Sequence, residues 1–267
     1  LVTDSTKDYT ITLNESFTET KFVIPSKANS ITLKGKTGNE TLSLANLTAI
    51  TFPVKTTVED LRIESTKAFT LTASKGLSVQ NFKSDTITTI RGTATGTLTL
   101  GKTEFAIAPS ITAFGTIDVT DEFTAGKSLT TTNLNLKENA GIVVTDGATT
   151  VSAKTLKGEE NSYIKLLDGF KPITITGTTA DSVSGTINLV GDTIADNAVV
   201  FTTRTVGDNV FDLTAVRDNA ELDYELAIIS GKAYMKPIAL VLETTDGTEI
   251  GKYALWNDMV TEINAIA

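Results

Sequence analysis

Apolar residues in this chain fall in short apolar–polar–apolar triplets set between polar stretches, and the triplets recur at a nearly constant interval. One series begins at Phe22, Leu42, Leu61, Val79, Leu98, Ile117, Leu134, Val151 and Ile173, with steps of 20, 19, 18, 19, 19, 17, 17 and 22 residues. A second begins at Ile11, Ile31, Ile50, Phe69, Ile87, Phe105, Phe123, Ile142 and Tyr163, with steps of 20, 19, 19, 18, 18, 18, 19 and 21. The offset between the two is almost fixed, which chance placement does not explain.

A triplet of this kind reads as a short strand with its outer two side chains inward and its middle one outward. Gly, Asn, Asp, Ser and Lys fill the gaps, as turns require. A coil of about 19 residues with at least two strands predicts an all-β fold, a parallel β-solenoid in which each coil buries its apolar face on its neighbours. At about 4.8 Å per coil, nine coils make a rod roughly 40 Å long. A leucine-rich-repeat-like horseshoe is the alternative, although the L-x-x-L-x-L-x-x-N frame is not maintained. The outward residues of the second series, Thr12, Thr32, Thr51, Thr70, Thr88, Ala106 and Thr124, read as a threonine ladder that gives way to apolar Val143 and Ile164 in the later coils. Those of the first, from Val23, Ser43 and Arg62 through Gln80, Thr99, Asp118 and Asn135 to Thr174, read as a mixed polar column.

The register fades near residue 190, which places the solenoid at 1–197 and a hairpin-rich region at 198–255. Ser230-Gly231-Lys232 and Thr245-Asp246-Gly247 supply the turns. Trp256, Met259, Val260 and Ile263 follow helical spacing and predict a short amphipathic helix over 256–267, too short to be stable unless docked. The helix reads as the start of a following module.

Composition narrows the chemistry. The 267 residues hold no Cys and no His, with 23 basic against 32 acidic side chains and a net charge of −9. Disulfides, thiolate sites and histidine general bases are excluded. An acidic chain lacks the basic footprint of a nucleic-acid binder, and its apolar runs are too short for a membrane-spanning helix. Threonine fills 49 positions, as a strand-rich chain favours.

The run Gly251-Lys252-Tyr253-Ala254-Leu255-Trp256-Asn257-Asp258-Met259-Val260-Thr261-Glu262-Ile263-Asn264 resembles a segment of large surface proteins of Gram-positive gut bacteria. There a hairpin leads into a Trp-containing helix and then a strand that opens a β-solenoid. Asp8-Tyr9-Thr10-Ile11-Thr12-Leu13 and Phe22-Val23-Ile24-Pro25 resemble what comes next. The resemblance covers about 45 residues at the two ends. It implies one tandem β-solenoid repeat module of a secreted, adhesin-like, cell-wall-associated protein, and a chain that starts at Leu1 because it is mature or excised from something longer. The partners it implies are glycans, host or neighbouring-cell surface proteins, and adjacent modules.

Few residues invite chemistry. Glu104 and Glu122 each precede the phenylalanine of a triplet one period apart, with Asp121 beside them. On adjacent coils two such carboxylates stand at the roughly 5 Å spacing of a retaining glycosidase. The plainer reading makes them solvated turn residues near Lys102 and Lys127. Arg62 and Asp118 share a column but lie three coils apart by this register. Ice binding needs Thr-x-Thr on every coil, and Asn14, Lys34, Pro53, Ile90 and Gly126 break the second column. Asp118, Asp121 and Glu122, or Asp208-Asn209, offer oxygens to calcium but match no known loop pattern. Gly92-Thr93-Ala94-Thr95-Gly96 lacks the ending of a phosphate loop. Trp256 serves either sugar stacking or packing at a module junction. No catalytic or metal residue, and no cofactor, is assigned. The reading is a non-enzymatic extracellular adhesin or stalk, with a carbohydrate-active β-helix enzyme as the alternative and ice binding third.

Overall fold

The computed structural model describes residues 4–147, 150–191, 198–203, 211–212, 224–237, 240–245, 247–253 and 256–266. Its regular structure is nearly all strand, with a single 3-10 turn, Ala180–Ser182, and, among the described residues, one α-helix, Trp256–Ile266. The chain winds into a parallel β-solenoid of about nine coils, each carrying up to three strand columns, here faces A, B and C.

Face A runs without a break. Ile11 pairs with Leu33, Leu33 with Val58, Val58 with Val79, Val79 with Leu100, Leu100 with Val119, Val119 with Leu136, Leu136 with Gly158 and Gly158 with Gly185. The steps along this column, read from those partners, range from 17 to 27 residues. Face C is equally continuous, from Ala49–Phe52 through Phe69–Ala73 and Ile87–Arg91 to Ile173–Ile175 and Val199–Thr202. Three strands per coil satisfy the expected minimum of two, while coil steps reach beyond the expected length of about 19 residues and the two series do not each keep to one column. Leu42 and Leu61 stand on face B, Val79 and Leu98 on face A, and Val151 on face C, so the first series wanders across all three.

The burial alternation is nevertheless the expected one. Leu61, Ile63, Leu98, Leu100, Ile117, Val119 and Phe69 are buried, while Arg62, Thr70, Thr99 and Asp118 sit half-covered on the outside. Phe105 departs from expectation in being only half-buried. Inward residues stack on their equivalents one coil away, as in Leu98–Ile117–Leu134–Leu156, forming one core from Leu13 to Met235. Each fully buried aliphatic side chain contributes about 1.5–3 kcal/mol. Sharp corners use residues that tolerate positive φ: Asp60 (φ 52°) and Asn81 (φ 48°) turn the chain from face A to face B. They stack one coil apart, and Asn81 Nδ2 donates to Asp60 Oδ1 at 3.0 Å.

The two ends differ. At the C-terminal end Lys232–Pro237 pairs antiparallel with Val199–Thr202 and with Tyr224–Ile229, closing face C with a hairpin. Ser230 (φ 50°) and Gly231 (φ 76°) make its turn, where the sequence puts one. Parallel pairing continues past residue 197, through Val199–Thr202 and Phe211–Asp212. A second hairpin, Leu240–Glu243 with Glu249–Tyr253, carries the helix, in which Met259 is buried and Ile263 exposed. At the N-terminal end Ile11, Phe17 and Val23 are exposed around an apolar hollow of about 350 Å³.

Candidate functional site

Face B is where the solenoid is interrupted. From Phe17–Glu19 to Thr103–Phe105 it belongs to the same sheet as faces A and C; from Glu122–Ala125 onward it forms a separate sheet with Gly141–Val144, Tyr163–Leu166, Ile187–Val190 and Phe211–Asp212. No ladder joins Thr103–Phe105 to Glu122–Ala125 among the described residues. Between them lies a cleft of about 430 Å³ lined by Thr103, Glu104, Phe105, Ala106, Ala108, Glu122, Phe123, Thr124 and Gly126.

The cause is a change of corner length. Val79 pairs with Leu100 on face A and Ser84 with Phe105 on face B, so both corners span five residues. Leu100 pairs with Val119, yet from Val119 to the buried Phe123 is four residues. Continued in register, Phe105 would meet the outward Thr124. A one-residue slip reverses every side chain of a strand, so the two strands separate while the coils stay bonded on faces A and C.

Backbone alternation shows what faces the gap. Ala106 N–H donates to Ser84 and Phe82 N–H to Lys102, so even-numbered residues of this strand address the fourth coil and Thr103 and Phe105 address the sixth. Gly141 N–H donates to the Asp121 carbonyl, so Glu122 and Thr124 address the fifth. The Glu122 N–H turns instead onto its neighbour's carboxylate, Asp121 Oδ1, at 2.7 Å. Phe105 bridges the floor edge-on to Phe123, ring centroids 6.5 Å apart, and meets Phe82 at 5.9 Å on its other side.

Both carboxylates singled out by the sequence line this cleft, and each already has a partner. Lys83 Nζ stands 2.9 Å from Glu104 and holds its carboxyl below the usual range, chiefly through the hydrogen bond and then through its charge. Glu122 Oε2 accepts the Tyr163 hydroxyl at 2.8 Å. Burial and then that bond push the Tyr163 hydroxyl well above its ordinary value. Tyr163 stands two coils away and reaches over Gly141, where an added Cβ would meet the ring at 2.5 Å. This clasp across three coils joins residues 41 apart in sequence, and nothing local in the sequence announces it.

The other candidates are placed differently from their sequence columns. Arg62 is on face B, bonded to Glu64 at 3.0 Å and Asp85 at 2.8 Å, whereas Asp118 is on face A and accepts from Asn135 at 2.7 Å. The outward residues of face A run Thr10, Thr32, Thr57, Ser78, Thr99, Asp118, Asn135, Lys157 and Ser184. Face C bears two columns of hydroxyls. Thr70, Thr89, Ser110, Ser128 and Thr150 form one; Thr51, Thr72, Thr112, Thr130, Ser152, Thr174 and Thr202 form the other, with Ala49 and Arg91 as exceptions. Thr12, Thr32, Thr51 and Thr70 do not stack as one ladder; the first two are on face A and the others on face C. Among the described residues no three acidic side chains converge to hold a metal ion, and no helix is long and apolar enough to cross a membrane. Asp208-Asn209 and the surroundings of the Trp256 side chain lie outside the described residues. No family model, curated protein or solved structure matches the chain.

Proposed function

We propose that this chain is a non-enzymatic module of an extracellular, cell-surface or cell-wall-associated protein, working as an adhesin or as a stalk. The observation that supports it most is the outer surface: over nine coils the ladder register holds hydroxyl, amide and charged side chains in continuous outward columns. Such a surface suits multipoint recognition of a polymeric or macromolecular partner, glycan or protein. The likeness of both chain ends to surface-protein modules agrees with it, and the excess of acid over base opposes nucleic-acid binding.

The cleft carboxylates favour this reading over a glycoside-cleaving enzyme. A general acid at neutral pH needs a raised pKa, whereas Lys83 depresses that of Glu104 and Tyr163 occupies Glu122. The test is a glycan and host-matrix array probed with the purified, folded chain. Saturable binding without turnover is expected of an adhesin, and a clean negative of a stalk. Polysaccharide cleavage that disappears in Glu104→Gln or Glu122→Gln would overturn both.

One observation favours ice binding as a second reading. The paired hydroxyl columns of face C supply the Thr-x-Thr spacing that the sequence register placed elsewhere and found broken. Thermal hysteresis abolished by Thr72→Tyr would establish it, and its absence removes it.

A further inference from the structure

We infer that the two ends of the rod are complementary faces, and that the apolar hollow at the N-terminal end receives the terminal hairpin–helix unit of a second copy of this chain, head to tail. The inference deepens the stalk half of the surface-module reading and rests on it. At the N-terminal end the strands have an open edge. Among the described residues Asp8–Leu13 pairs only with Ser30–Gly35, and Phe17–Glu19 only with Thr41–Leu44. An unpaired strand edge of this kind recruits a partner unless it is covered. Phe22, Val23, Ile24 and Pro25 wall the hollow of about 350 Å³ beside that edge. Val23 is 83% exposed there, next to the exposed Ile11 and Phe17, and contiguous apolar surface marks an interaction site.

The opposite end supplies the occupant. Leu240–Glu243 and Glu249–Tyr253 form a two-stranded sheet of their own, which carries the 11-residue helix Trp256–Ile266. A lone hairpin and a helix that short are each marginal without a docking surface. Val241, Ile250 and Ile263 stand exposed on this unit. Charge fixes which end meets which. Residues 240–266 carry five acidic side chains, Glu243, Asp246, Glu249, Asp258 and Glu262, against Lys252 alone. Residues 14–36 carry Lys21, Lys27, Lys34 and Lys36 against Glu15 and Glu19. Lys21 and Lys27 flank the Phe22–Pro25 wall, exposed and without an ion pair among the described residues. Like ends therefore repel and unlike ends attract. A contact between unlike faces does not close on itself, so copies line up in an open row, as a stalk requires.

The chain has no cysteine, so single introduced thiols report the contact. Val23→Cys and Ile263→Cys, both at exposed positions where the fold survives, are mixed as whole chains and mildly oxidised. The mixed disulfide should outnumber each like-with-like dimer by about tenfold. Adding Lys21→Glu with Lys27→Glu to the Val23→Cys chain should cut its yield several-fold. Ile107→Cys, exposed on the side of the rod, should pair with Val23→Cys at no more than the random share. No cross-link, a random mixture, an equal yield from Ile107→Cys, or a yield indifferent to the lysine reversal would overturn the contact. A saturable hit on the glycan and matrix array beside a random mixture would remove only the head-to-tail contact and leave the adhesin reading standing.

Discussion

The junction between the fourth and fifth coils and the junction between the fifth and sixth are built from the same parts and end differently. On face B, Phe82, Lys83 and Ser84 pair in register with Thr103, Glu104 and Phe105, and Lys83 bridges to Glu104. One coil further on, Glu104 and Phe105 face Glu122 and Phe123 across a cleft. Neither strand length nor apolar content separates the two cases. A corner shorter by one residue does, because side chains alternate with a period of two. In a solenoid the strands supply the core, and the corners decide where the wall is closed and where it opens. The open junction leaves the facing backbone groups of Thr103, Phe105 and Thr124 outside any ladder, and the closed one uses the equivalent groups up in a ladder.

The largest effect should come from breaking both junctions at once. Leu100 is fully buried between its partners Val79 and Val119. Leu100→Asp buries an uncompensated charge and should cost several kcal/mol, enough to unfold the rod. Thr99→Asp, on the outside of the same strand, should leave the urea midpoint nearly unchanged. Equal losses from both would refute the face A register.

Paired truncations sharpen the comparison itself. Phe82 is fully buried in the closed junction, while Phe105 is half-buried beside the cleft. Phe82→Ala should lose about 3–5 kcal/mol in denaturant unfolding. Phe105→Ala should lose clearly less, about 1–2 kcal/mol, because part of its ring is already in water. Matching values would mean that the junction is closed in solution.

Beyond the cleft, the Tyr163 clasp predicts that Gly141→Ala costs about 1–3 kcal/mol, since the new methyl meets the ring. Tyr163→Phe, which keeps the ring and drops the bond to Glu122, should cost under about 1 kcal/mol. If Gly141→Ala were neutral, the ring would not lie over that position.

The smallest effect is electrostatic. Lys83 lowers the Glu104 pKa below its ordinary 4.5, so its contribution is present at neutral pH and is lost as pH falls below about that value. Exposure screens it. Glu104→Gln should therefore lower stability slightly at neutral pH, leave it unchanged in strong acid, and so flatten a slight part of the acid-side loss. The Tyr163 hydroxyl moves the opposite way: its pKa is raised above the ordinary 10, so its bond holds below pH 10 and breaks only under strong alkali. In absorbance titration, Glu122→Gln should let one tyrosine ionise earlier.

The all-β solenoid and most of its core could be read in the sequence, because inward side chains repeat whatever face they occupy. The columns could not. A triplet on any of three strands looks the same locally, and coil steps between 17 and 27 residues let one arithmetic series slide from face to face, as Leu61 on face B and Val79 on face A show. Only hydrogen-bond register separates those positions. The neighbourhood of Glu104 and Glu122 was legible because Phe105 and Phe123 do stand on successive coils. That the strands between them part was not, since it depends on a corner one residue shorter. The Tyr163 bond to Glu122 skips a coil and depends on the absence of a side chain at Gly141, two conditions no local pattern contains.

Residue-resolved amide hydrogen exchange on the free chain tests the central claim most directly. An open face B junction predicts rapid exchange at Thr103, Phe105 and Thr124. Phe82, Gly101 and Thr120, whose N–H groups are bonded between coils, should be strongly protected. Protection of Thr103, Phe105 and Thr124 equal to that of Phe82 would show a continuous ladder across the fifth and sixth coils and contradict the account.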